Sequence, residues 1–128
     1  MDLSLLVQGT MSVLADPITL VFIVIGVFVG IIFGAVPGLT ATLAVIMFLP
    51  VTYTMTSVQG LSTLIALYVG GISGGLVAAI LLNIPGAPAA IATGFDGYPL
   101  AKRGEAGRTI GLVTTVSIFG GLLGIAIL

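Results

Sequence analysis

Residues 17–42 read PITLVFIVIGVFVGIIFGAVPGLTAT. The run from Ile18 to Val36 has no charge and reaches about 28 Å as a helix, close to the roughly 30 Å of a bilayer core. Asp16 is placed to cap that helix, and Pro17 suits its first turn, where a missing N–H costs nothing. Pro37-Gly38 ends it, because proline removes a backbone donor and disfavours helix at the residue before it. A second apolar piece follows from Leu39 to Leu49, then Pro50 and the more polar Val51–Ser57. That piece is either a short tilted span or a half-helix packed inside the protein.

The whole chain has the same character. Of 128 residues, 59% are hydrophobic and 5% charged, with mean hydropathy +1.38, whereas soluble domains carry about 25% charged residues. Fold class follows: an all-α integral membrane protein with three to four transmembrane segments, two of its helices broken by Pro/Gly and discontinuous or re-entrant. With no Cys and no His, thiol, Cys/His-metal, haem and imidazole chemistry are excluded from these residues. Neither a nucleophile–base pair nor an intramembrane carboxylate pair is present, so an enzyme is not expected. Net charge is −1 without a basic run, which argues against nucleic acid.

Before residue 17, the segment from Met1 to Asp16 lacks the basic start of a signal peptide. Leu3, Leu6, Val7, Val13 and Leu14 fall at roughly helical spacing among Asp2, Gln8 and Ser12, which predicts an interfacial helix over 1–16. Beyond the second piece, Leu61–Ile84 is long enough to cross and stops at Pro85-Gly86-Ala87-Pro88. Gly94-Phe95-Asp96-Gly97-Tyr98-Pro99 reads as a turn at the membrane surface. A last apolar run from Ile110 to Leu128 ends without a polar flank, as in a truncated chain. Lys102, Arg103 and Arg108 share one short loop and set topology: the positive-inside rule puts that loop in the cytoplasm.

Gly26, Gly30, Gly34 and Gly38 recur every fourth residue; Gly70/Gly74, Gly71/Gly75 and Ala78/Ala79 form a second small face, and Gly120/Gly124 a third. Small residues let helices approach closely in lipid. One function these faces support is that of a non-transporting structural membrane subunit.

The breaks at membrane depth support another. Unpaired backbone in lipid is costly, so such breaks persist inside protein or against water, and transporters aim half-helix N-termini at anions there. Pro37, Gly38, Leu39, Thr40 and Thr42 would open one half-helix, with threonine hydroxyls at its start. Asn83, Pro85, Gly86 and Pro88 would open another. Asn83, a lone amide in an apolar run, is expected to be buried and bonded to a break or a ligand. These residues are the candidate substrate-binding set.

At these same motifs the chain resembles the large membrane subunit of the tripartite tricarboxylate transporters. The resemblance rests on Gly34–Thr42 followed by Leu49-Pro50, on Tyr68–Gly75, on Leu82–Thr93 and on Asp96–Lys102. It implies the permease of a secondary transporter, importing tricarboxylates or related carboxylates across the bacterial inner membrane. It further implies a small membrane subunit and a periplasmic binding protein as partners. Residues 17–128 would then be the N-terminal part of a larger transporter domain, a partial copy of its fold. No cofactor is expected beyond a coupling ion, Na⁺ or H⁺. Backbone carbonyls at Gly38 or Pro85 and hydroxyls of Thr42, Ser73 and Thr93 are the oxygens available to Na⁺. Asp96 and Glu105, read as surface-loop residues, leave no intramembrane acid to relay protons.

Overall fold

The computed structural model describes residues 3–127. Its elements are α1 (Leu3–Ala15), α2 (Pro17–Ala35), α3 (Ala41–Thr52), α4 (Ser57–Leu82), a short 3-10 turn (Pro88–Ala90), α5 (Ile91–Leu100), a wide turn (Ala101–Glu105) and α6 (Ala106–Ile127). No strand occurs among the described residues. Three helical stretches, Pro17–Ala35, Ser57–Leu82 and Pro88–Ile127, are long and apolar enough to cross a membrane. The protein is an all-α membrane protein. Met1 and Asp2, assigned to the first helix, and Leu128, assigned to the last apolar run, lie outside the described residues.

α2 and α4 form the core, and glycine sets their separation. A methyl on Gly26 would lie 3.0 Å from the Thr63 carbonyl oxygen. One on Gly30 would meet the Leu67 carbonyl, and one on Gly34 the Gly71 carbonyl. From the α4 side, Gly70 faces the Val27 carbonyl and Gly74 that of Ile31. Residue numbers rise together along both helices, so α2 and α4 run parallel. Such contact is available only where a residue without a Cβ faces the other helix's backbone, and it replaces the hydrophobic driving force that lipid does not supply.

Their N-terminal ends are joined by a polar clamp. Asp16 caps α2 by accepting from the Ile18 N–H at 3.1 Å, and it also accepts from Thr19 Oγ1 at 2.6 Å and Gln59 Nε2 at 3.0 Å. Gln59 belongs to a reciprocal cap in which Thr56 Oγ1 accepts from the Gln59 N–H and Gln59 Oε1 from the Thr56 N–H. These bonds hold the Asp16 carboxyl below its ordinary pKa, the one from Thr19 most, then that from Gln59.

α3 brings the chain back alongside the parallel pair. Its first residue, Ala41, packs on Gly71 and its last, Thr52, on Gly60, so it runs antiparallel to α4. Phe33 and Phe48 meet edge to face at 6.4 Å and tie it to α2. At twelve residues α3 is about 18 Å long, shorter than a bilayer core, and it starts part-way along α4; with the turn through Met55 it carries the chain back to the end where α2 began. Pro50 lies inside α3 rather than beyond it. Near a C-terminus the missing donor costs one bond, and the freed end is closed by the Tyr53 N–H on the Pro50 carbonyl at 3.4 Å.

Two expectations are corrected here. Gly94–Pro99 is helix, the body of α5, not a surface turn, and Asp96 therefore lies on a helix. Its glycines are packing positions: Gly94 sits beside Ala79 and Asn83, and Gly97 against Ile80 and Thr109. The reversal comes later, at Gly104, whose φ of +84° suits glycine. Gly38 likewise leaves the glycine face, because it is exposed with φ +90° and forms the break itself. Gly120 and Gly124 meet nothing within 4 Å, so the third small face has no partner among the described residues.

Candidate carboxylate site at the paired helix breaks

After Ala35 the chain turns through Val36–Gly38, with the Leu39 N–H donating to the Val36 carbonyl at 3.1 Å. Thr40 caps α3, its Oγ1 accepting from the Leu43 N–H at 3.1 Å. Its hydroxyl proton remains available for donation, as does the hydroxyl of exposed Thr42 two residues on. The Ala41 and Thr42 N–H groups occupy the first helical turn and have no intrahelical acceptor.

The second break opens at Asn83, which ends α4 in the left-handed conformation (φ 57°, ψ 28°), its N–H donating to the Ala79 carbonyl. Asn83 is exposed, contrary to the burial expected from its apolar surroundings. Its short side chain tolerates the conformation that ends the helix, so the residue serves the backbone turn. From there the chain doubles back. A methyl on Gly75 would lie 3.6 Å from the Ala87 nitrogen, and one on Gly86 would lie 2.5 Å from the Gly34 carbonyl oxygen and 3.1 Å from the Gly75 Cα. Pro88 starts the 3-10 turn, Ala90 is buried, and α5 climbs back alongside Ala79–Asn83. Segment 83–100 is thus a re-entrant hairpin that enters and leaves at the C-terminal end of α4.

The two breaks meet. α3 starts at Gly71 and the α5 hairpin turns at Gly75, one helical turn apart on α4 and about 20–27 Å along a helix about 39 Å long. α3 descends from this level and α5 ascends from it, so the two half-helices present their N-termini to one region. Each N-terminus carries roughly +0.5 of a charge. Residues 17–95 hold no Lys or Arg, so these termini and nearby hydroxyls are the local positive potential.

Placement of the remaining candidates divides cleanly. Pro37, Gly38, Leu39, Thr40 and Thr42 lie on the first break; Pro85, Gly86 and Pro88 lie on the second. Thr93 is half-buried near the start of α5. Ser73 is not brought to the breaks: its Oγ donates to the Val69 carbonyl at 2.9 Å, and it lines a separate apolar cleft facing α6. Lys102 and Arg103 lie on the wide turn, whereas Arg108 belongs to α6, so the three cations share one end of the bundle but not one loop. Gly34, Gly71 and Gly75, read from sequence only as packing residues, are where the breaks join. Nothing in their local pattern separates that role from helix packing.

The sequence profile of the tripartite tricarboxylate transporter TctA family matches residues 20–128. The chain belongs to this family. It is also 36% identical over 105 residues to an uncharacterized 52.8 kDa protein of Agrobacterium vitis, encoded in the TAR-I ttuC' 3' region. That match takes in 82% of this chain and 21% of the relative, so the chain spans about a fifth of the protein it matches. No solved structure matches the chain. The motifs on which the resemblance rests fall on the two breaks, on the α4 segment that joins them, and on α5 with the turn after it.

Proposed function

We propose that these residues form part of the permease of a secondary transporter that imports tricarboxylates or related carboxylates across the bacterial inner membrane. A periplasmic binding protein delivers the substrate and a small membrane subunit completes the assembly. The observation that carries this reading is the convergence of two half-helix N-termini on Gly71–Gly75, in a stretch with no cationic side chain. There a carboxylate is held by backbone N–H groups at Ala41, Thr42, Ala87 and Ala89 and by the hydroxyls of Thr40 and Thr42, with the dipoles supplying the positive field. Asn83 ends α4 about 12 Å beyond Gly75, with its Oδ1 beside Gly94, and shapes the second break. Na⁺ is the favoured coupling ion, using carbonyls at Gly38 or Pro85 and the Thr42 or Thr93 hydroxyl; Ser73 drops from that set because it faces elsewhere. With Lys102, Arg103 and Arg108 in the cytoplasm, α4 and its parallel partner α2 run inward and Asp16 lies on the periplasmic side.

The structural-subunit alternative loses ground on one point. The α2 and α4 glycine faces are taken up by each other, by α3 and by the hairpin, so of the three small faces Gly120/Gly124 alone is unpartnered among the described residues.

Carboxylate uptake by the complete protein with its binding protein tests the site. Losing one hydrogen bond to a charged group removes about 1.5–3 kcal/mol, so Thr42→Val is expected to weaken apparent affinity by roughly tenfold or more while assembly persists. Unchanged uptake and affinity in both Thr40→Ala and Thr42→Val would sink the proposal.

A further inference from the structure

α6 touches the rest of the molecule at one end. Thr109 is buried against Gly97, and below it the helix leaves α4, opening a cleft of about 620 Å³. Its walls are apolar, with Val69, Val77 and Ile80 on one side and Ile110, Val113 and Ile118 on the other. Of the three hydroxyls on the walls, Ser73 is satisfied by the Val69 carbonyl and Thr114 by the Ile110 carbonyl, which leaves Ser117 as the one polar group facing the cleft. The cleft therefore offers contact for hydrocarbon and little for a polar ligand. It extends from Ile110 to Ile125, about 22 Å along α6, which exceeds the roughly 15 Å of one leaflet's acyl region.

Charge singles out one end of this cleft. All three cations of the chain, Lys102, Arg103 and Arg108, lie within the eight residues before Ile110. Arg103 has no acidic partner among the described residues. Arg108 pairs with Glu105 at 3.2 Å, but both side chains are solvent-facing and the pair is weak. Lys102 rests its ammonium over the Tyr98 ring at 4.8 Å, which leaves its N–H groups free to donate. The far end of the bundle, at Asp16, has no cation within it.

An apolar slot longer than one leaflet's acyl region, open to the side along α6 and flanked by cations at the membrane surface where α6 closes on α4 and α5, matches one molecule present in bulk. We propose that the α4–α6 cleft holds an acyl chain of an anionic phospholipid, whose phosphate is bound by Lys102 and Arg103 of the wide turn and Arg108 at the start of α6. This site is separate from the paired breaks and does not depend on the transport reading. Occupancy fills the space between α4 and α6.

The test is photolabelling of the full chain in phosphatidylcholine nanodiscs containing a trace of diazirine-acyl phosphatidylglycerol or its phosphatidylcholine counterpart, followed by peptide mapping. The anionic probe is expected to label peptides from 69–80 and 110–125 in preference to the zwitterionic one. Each cation near an anionic headgroup contributes about a fivefold preference, so Arg103→Gln should cut the ratio about fivefold. The K102Q/R103Q/R108Q triple variant should bring it to unity. Gly121 lines the cleft and a Cβ there meets nothing within 4 Å, so Gly121→Phe is tolerated by the chain and should block labelling with all cations intact. Equal labelling by both probes, label absent from the cleft peptides because another polypeptide covers them, or label undiminished in Gly121→Phe would each overturn the proposal.

Discussion

Replacing Gly34 by alanine adds one methyl where the chain has no room for it. That methyl would overlap the Gly71 carbonyl oxygen and lie 2.7 Å from the Gly71 carbon and 2.8 Å from the Gly75 nitrogen. All three are backbone atoms, so no side chain can rotate away, and α2 must move off α4. Overpacking of this kind costs about 1–3 kcal/mol. Alanine returns about 0.8–1.0 kcal/mol of helix propensity, and a backbone obstacle puts the first figure at its upper end, so net destabilisation is about 1–2 kcal/mol. At Gly26 the nearest atoms are at 3.0 and 3.1 Å, one of them the Ala66 Cβ. There a shift of tenths of an ångström suffices and the two terms nearly cancel. Gly120 meets nothing within 4 Å, so Gly120→Ala should be neutral or slightly stabilising. Reversible unfolding in bicelles, read by steric trapping or denaturant titration, is expected to rank the variants Gly34→Ala well below Gly26→Ala, and that at or below Gly120→Ala. If Gly34→Ala matched Gly120→Ala, the parallel α2–α4 packing would be wrong.

Three further outcomes follow from local geometry. Gly38→Ala and Gly104→Ala force a Cβ into φ near +90° and +84° without steric contact, so each should cost about 1–2 kcal/mol in the same unfolding assay. Thr40→Ala removes the α3 cap and should cost about 1 kcal/mol, with Thr40→Ser restoring most of it. Asp16 has a lowered folded-state pKa, so its contribution is present above the unfolded carboxylate pKa and lost as pH falls through the folded value. Acid titration of stability should therefore show a limb that is flattened in Asp16→Asn.

The chain's punctuation was legible where sequence and structure use it alike. Asp16-Pro17 starts α2, Pro37-Gly38 ends it, and Thr40 opens α3, because caps and breaks are decided within a few residues. It misled where glycine and proline serve packing instead. Gly94 and Gly97 carry the signature of a turn in water, but beside Ala79 and Ile80 they allow α5 to approach α4. Backbone deep in the protein has more to gain from helical bonds than from a turn. Thr56-Ser57-Val58-Gln59 carried a readable capping signal, whereas the Gln59 bond to Asp16 joins residues far apart in sequence and had no local trace. The same holds for the candidate site. Each break could be read singly, but their meeting at Gly71–Gly75 depends on the parallel register of α2 and α4 and on the hairpin doubling back, which only tertiary packing determines.

Accessibility of the two breaks, measured together, tests the central claim most directly. The chain has no cysteine, so Thr40→Cys and Ala89→Cys, introduced singly into an otherwise cysteine-free complete protein, report on one break each. Labelling rates with a water-soluble maleimide are compared with and without a tricarboxylate. Both positions should react despite their depth, and the anion should protect both over the same concentration range. Protection of one position alone, or of neither at concentrations that saturate uptake, would contradict a shared carboxylate site at the paired helix breaks.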